Sequence, residues 1–151
     1  MPQPEGTFVD VGEGLTMHCN VVGSGPVVAF LHGSGPGASG WSNFAANAEA
    51  LAKAGYQSVL IDSIGYGRSS KPTDRDYTLG FMSDCAVRLL SALGHERYTL
   101  VGNSQGGAQA IRIALEHPDR VDRLVLMAPG GLEARERYMD CLLYTSDAAD
   151  E

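Results

Sequence analysis

The chain has 151 residues, 44% of them hydrophobic, with 19 glycines and a formal net charge of −7. That length suits one domain or part of a larger one; an acidic chain with no basic stripe excludes a nucleic-acid binder, and no apolar run is long enough to span a bilayer. Met1-Pro2-Gln3-Pro4 lacks the basic and apolar regions of a secretory signal. Of the three cysteines, Cys141 lies in a tail set aside below, and Cys19 and Cys85 lack metal-ligand spacing, so a cytoplasmic protein with these two as free, apolar-packed thiols is expected.

In chain order, Thr7–Val11 and Leu15–Val22 read as strands of an antiparallel hairpin around Gly12-Glu13-Gly14. Pro26–Leu31 is a continuous apolar run, as expected of a strand covered on both faces, and it ends in a glycine-rich loop from His32 to Gly40. Apolar residues Phe44, Ala45, Ala48, Leu51 and Ala52 recur at helical spacing and predict a helix over Trp41–Ala54, stopped at Gly55. Tyr56–Asp62 is the next buried strand, followed by the turn-rich Gly65-Tyr66-Gly67-Arg68-Ser69-Ser70. Leu79–Leu93 is predicted as a helix with Phe81, Met82, Cys85, Leu89 and Leu93 on one face, closed by Gly94. A strand at Tyr98–Val101, a helix reaching about His117 before Pro118, and a strand at Val121–Met127 complete the pattern. Strands alternating with helices imply an α/β fold with a mostly parallel sheet covered on both faces. The outer edge of the last strand has no cover in this sequence and is expected to invite aggregation.

The chemistry concentrates at Gly102-Asn103-Ser104-Gln105-Gly106, a G-x-S-x-G set between an apolar strand and a helix. That context makes a short motif a nucleophile elbow: a sharp turn holds the serine in a strained conformation and aims its hydroxyl off the top of the sheet. The helix dipole there favours developing negative charge. Acyl transfer also needs donors for the oxyanion. One is the backbone N–H of Gln105; the second is expected from the loop His32-Gly33-Ser34-Gly35-Pro36-Gly37, whose glycines let an amide point inward.

The chain thereby resembles the N-terminal part of an α/β-hydrolase over residues 7–132. The string Gly33-Ser34-Gly35-Pro36-Gly37-Ala38-Ser39-Gly40-Trp41-Ser42-Asn43, with Gly102-Asn103-Ser104-Gln105-Gly106-Gly107, is more specifically similar to the meta-cleavage product hydrolases. These split a carbon–carbon bond in 2-hydroxy-6-oxo-dienoates from aromatic or steroid ring cleavage. The resemblance implies Ser104 as catalytic nucleophile and the amides of Ser34 and Gln105 as the oxyanion hole. It further implies that Ser34, Gly35, Asn43 and Asn103 bind substrate, and that no cofactor or metal is needed. The family commonly has methionine after the nucleophile, and Gln105 departs from it, making the pocket wall more polar. The family supplies its acid, its histidine base and a helical lid from segments beyond the last strand, so this chain by itself is expected to be nearly inert.

His32 is expected to support the loop rather than act as base, and His117, at the far end of the helix after Ser104, is too distant for that role. Asp119, Asp122 and Asp140 are expected at the surface or in turns, and Trp41 in packing. Residues 141–151 resemble the translation of a transposase adapter used in sequencing libraries, which limits the expected native part to residues 1–140, a partial hydrolase domain. A carboxylesterase or lactonase of the same fold, or a non-catalytic ligand-binding member, is the alternative. The expected partner is a small-molecule substrate, not nucleic acid or a membrane; homo-oligomerisation of the parent stays open.

Overall fold

The computed structural model describes residues 2–133; the expectations for Asp140 and residues 141–151 lie outside the described residues. Nine elements follow in chain order: β1 (Thr7–Asp10), β2 (Thr16–Gly23), β3 (Val27–Leu31), α1 (Gly40–Lys53), β4 (Gln57–Ile61), α2 (Leu79–Ala92), β5 (Tyr98–Asn103), α3 (Gln105–Glu116) and β6 (Val121–Met127). They build one six-stranded sheet in the order β1-β2-β4-β3-β5-β6. The hairpin strands pair antiparallel with each other and with β4, and the remaining pairings are parallel. This is the expected α/β architecture with a mostly parallel sheet.

The central strands are buried on both faces, which is why they read as unbroken apolar runs. Ala29 and Leu31 of β3 face α2 and α3, in a core with Met82, Cys85, Leu89, Leu90, Ala110 and Ile113. Val28 and Phe30, one residue out of phase, pack with Phe44 and Ala48 of α1 on the other side. Cys19 and Cys85 are buried free thiols, and burial pushes Cys19 up to about 11, so it packs as an inert small side chain. β6 is different: Leu124, Val125, Leu126 and Met127 are all exposed on the sheet's outer edge. Among the described residues no helix is long and apolar enough to cross a membrane.

Sheet order fixes where a site can form. β3 lies between β4 and β5, so the chain leaves β3 to one side and later returns to its other side. The carboxyl ends of β3 and β5 therefore diverge around a crevice, the place where open α/β sheets hold ligands. Glycines let the backbones close in at that point. A Cβ on Gly106 would collide with the carbonyl of Leu31 and stand 2.6 Å from the carbonyl oxygen of His32; one on Gly102 would stand 2.7 Å from Gly107 Cα. Replacing Gly106 with alanine should cost about 3 kcal/mol or more, because backbone and not a flexible side chain must yield. Gly94→Ala, at φ 80° but in open space, should cost only about 1 kcal/mol. Urea unfolding of the two variants checks the ranking.

Candidate active site

Ser104 occupies the N-cap of α3 at φ 52°, ψ −114°, and its side chain makes no capping hydrogen bond. Ser39, at the N-cap of α1, shows the ordinary alternative: φ −154°, its hydroxyl accepting from Ser42 N–H in a full capping box. An N-cap serine normally spends its oxygen on the helix. The left-handed backbone of Ser104 prevents this, leaving the hydroxyl uncommitted above α3. Main-chain bonds hold the turn in place: Ser104 N–H donates to Met127 O (3.0 Å), and Gly130 N–H donates to Ser104 O (2.8 Å). A non-glycine residue in this conformation is strained by about 1–3 kcal/mol and persists only where its surroundings over-determine it.

The loop after β3 lies against this turn. Gly33 faces it so closely that a Cβ there would stand 3.4 Å from both Ser104 Cβ and Asn103 Nδ2. Asn103 and Ser104 are half-buried, Ser34 is exposed, and Gly35 takes φ 143°. Among the described residues neither Ser34 N–H nor Gln105 N–H has a hydrogen-bond partner. Asn43 is exposed on the first turn of α1, its amide donating to Ser42 Oγ (3.2 Å). Thus Gly33, Asn103, Ser104 and Gln105 share the crevice, while Asn43 is held by its own helix turn.

His32 is a clamp. Its Nδ1 lies 2.7 Å from Gly33 O and its Nε2 accepts from Ser63 N–H at 3.1 Å, so the neutral tautomer with the proton on Nδ1 satisfies both. The ring is fully buried, with its edge against Tyr66 at 5.2 Å between centroids. Burial holds its pKa below the ordinary value of 6.5, outweighing the opposing pull of Gly33 and Asp62. Both nitrogens being engaged, His32 supports the loop as expected. His117 closes α3 at its far end, and Asp122 pairs with Arg97 at the surface.

Sequence reasoning missed a second support. The Asp62 carboxylate, fully buried at the end of β4, accepts from Gly40 N–H (2.9 Å) and Arg68 N–H (3.0 Å) and pairs with His18 Nδ1 (2.9 Å). His18 Nε2 in turn faces Glu5 O at 2.8 Å, so both ring nitrogens meet oxygen acceptors. This hub ties β2, the start of α1 and the turn at 65–70 to one carboxylate. Gly67 is required beside it, because a Cβ there would collide with the Asp62 side chain. Also unforeseen is the polar face of α3, where Gln105, Gln109 and Arg112 recur at helical spacing. Gln109 is fully buried with both amide atoms unpartnered among the described residues.

The chain belongs to the α/β hydrolase fold family, whose sequence profile matches residues 26–145. It is 46% identical over 119 residues to a 2-hydroxy-6-oxo-6-phenylhexa-2,4-dienoate hydrolase of Comamonas testosteroni, covering 78% of this chain and 41% of that one. It is 47% identical over 131 residues to a 2-hydroxy-6-oxononadienedioate/2-hydroxy-6-oxononatrienedioate hydrolase of Paraburkholderia phymatum, covering 82% and 44%. A solved meta-cleavage product hydrolase from Pseudomonas fluorescens IP01 superposes with a TM-score of 0.80 at 34% identity, over 86% of this chain and 47% of that one. The chain therefore spans less than half the length of these relatives.

The lowered pKa of His32 gives a pH signature. Its unfolded form binds more protons below about 6.5, so the stability it contributes is present above that value and is lost as pH falls through the folded pKa. His95, lowered by partial burial, acts in the same sense. His32→Gln should be less stable than the parent at pH 7, and the gap should narrow towards pH 5. Urea midpoints of both proteins across that range check it.

Proposed function

We propose that the whole protein is a serine hydrolase that cleaves a carbon–carbon bond in 2-hydroxy-6-oxo-dienoates, in aromatic or steroid degradation in the cytoplasm. The observation that carries this reading is the uncommitted hydroxyl of Ser104. It sits on a strained turn at the carboxyl end of β5, next to the Gln105 N–H, which has no partner among the described residues. The likeness to dienoate hydrolases selects the reaction from those the fold can host. Domain and tail follow the same reading: residues 1–140 are part of one hydrolase domain, and 141–151 are foreign to it.

In this mechanism Ser104 acts at the 6-oxo carbon of the ketonised substrate, either by direct attack or by assisting a water. Oxyanion charge is received by Ser34 N–H and Gln105 N–H at the positive end of α3, where one well-placed donor is worth about 3–4 kcal/mol. In this reading Ser34 and Gly35 line the dienol end of the substrate, and Asn43 and Asn103 hydrogen-bond its oxygen and carboxylate groups. The acid and histidine of the triad come from the remainder of the whole protein.

Ser104→Ala in the whole protein should lower kcat on a 2-hydroxy-6-oxo-dienoate by about 10³-fold or more, followed as loss of the dienolate's visible absorbance. A variant that keeps activity within tenfold of the parent would remove Ser104 from the chemistry.

A further inference from the structure

Gln105 offers more than a backbone amide. Its side chain lines a cleft of about 300 Å³ together with Gly65, Tyr66, Tyr77 and Met82, one residue along from Ser104. There its Nε2 reaches only the sulfur of Met82, at 3.7 Å, and its Oε1 is buried with no partner among the described residues. A primary amide carries two N–H donors and a carbonyl with two lone pairs. Among the described residues only Nε2 has a partner, the weakly accepting sulfur of Met82. A side chain of similar length without polar atoms would fill the same space and leave nothing unmet, so a glutamine here is costly unless a ligand completes it.

The rest of the cleft says what kind of ligand. Tyr66 and Tyr77 present aromatic rings and Met82 a polarisable thioether, surfaces that favour a flat π-system. The Tyr77 hydroxyl already donates to Pro72 O at 2.8 Å. Among the described residues no Lys, Arg, Asp or Glu lines the cleft, so a charged ligand would find no counter-ion among them. A hydroxyl, with one O–H donor and two lone pairs, both donates to and accepts from a primary amide without carrying charge.

We propose that Gln105 is a specificity-determining residue whose side-chain amide reads a hydroxyl on an aromatic ring held in this cleft. The ring is the substituent on the 6-oxo carbon of the substrate, so the proposal rests on the dienoate-hydrolase reading above. Gln105 N–H and Gln105 Nε2/Oε1 then act on adjacent parts of one acyl group: the main chain holds the oxyanion, and the side chain holds the ring's hydroxyl.

The test compares three dienoates with the whole protein and with Gln105→Met: 6-phenyl, 6-(hydroxyphenyl) and a substrate ending in a carboxylate. The parent should prefer the hydroxyphenyl over the phenyl substrate by at least about tenfold in kcat/KM, with the difference in KM and not kcat. Gln105→Met should bring the two within about twofold of each other. A preference that Gln105→Met does not move, or a parent that favours the carboxylate substrate, overturns this proposal and leaves the dienoate-hydrolase reading standing. Turnover of none of the three overturns both.

Discussion

The site rests on one backbone constraint: Ser104 is held at a positive φ while the turn that carries it is pressed against the end of β3. Each half requires the other. Without contact at Gly33 and Gly106, nothing would oppose relaxation of Ser104 into an ordinary capping conformation like that of Ser39. Without the strained turn, the hydroxyl would be consumed by α3, and the amide of Gln105 would not stand free at the helix start. Glycine at 102, 106 and 107 makes the close approach sterically possible. Pairing of β5 with β3 and β6 makes it obligatory.

Around this constraint the protein places polar supports where an apolar core could not fix direction. His32 joins the loop after β3 to the loop after β4 through one neutral imidazole. Asp62 gathers three donors from β2, α1 and the 65–70 turn. Both are fully buried, where an unmade hydrogen bond is expensive, so each fixes geometry as well as adding stability.

Much of this was legible in the sequence, and the gaps have physical causes. G-x-S-x-G between a strand and a helix gave away the turn, because its glycines and flanking periodicities are local. β5 nevertheless runs to Asn103, two residues past the predicted Val101, since Gly102 and Asn103 pair with Leu126 and Met127. Glycine's weak strand propensity yields there to the ladder on its neighbour. Likewise α1 starts at Gly40, not Trp41, because Ser39 caps it and Asp62, distant in sequence, takes the Gly40 N–H. The His18–Asp62 pair follows no period, and that Gln109 is buried is set by what packs on α3; both could be read only from tertiary contact.

Ser104 is held in a conformation that side chains resist. Ser104→Gly and Ser104→Ala both remove the hydroxyl and differ only in the Cβ that opposes a φ of 52°. Urea unfolding of the whole protein should show Ser104→Gly more stable than Ser104→Ala by about 1–2 kcal/mol, against glycine's usual deficit of about 0.5–1 kcal/mol. A glycine variant less stable than the alanine one would mean that the turn is relaxed and that nothing keeps the Ser104 hydroxyl off α3.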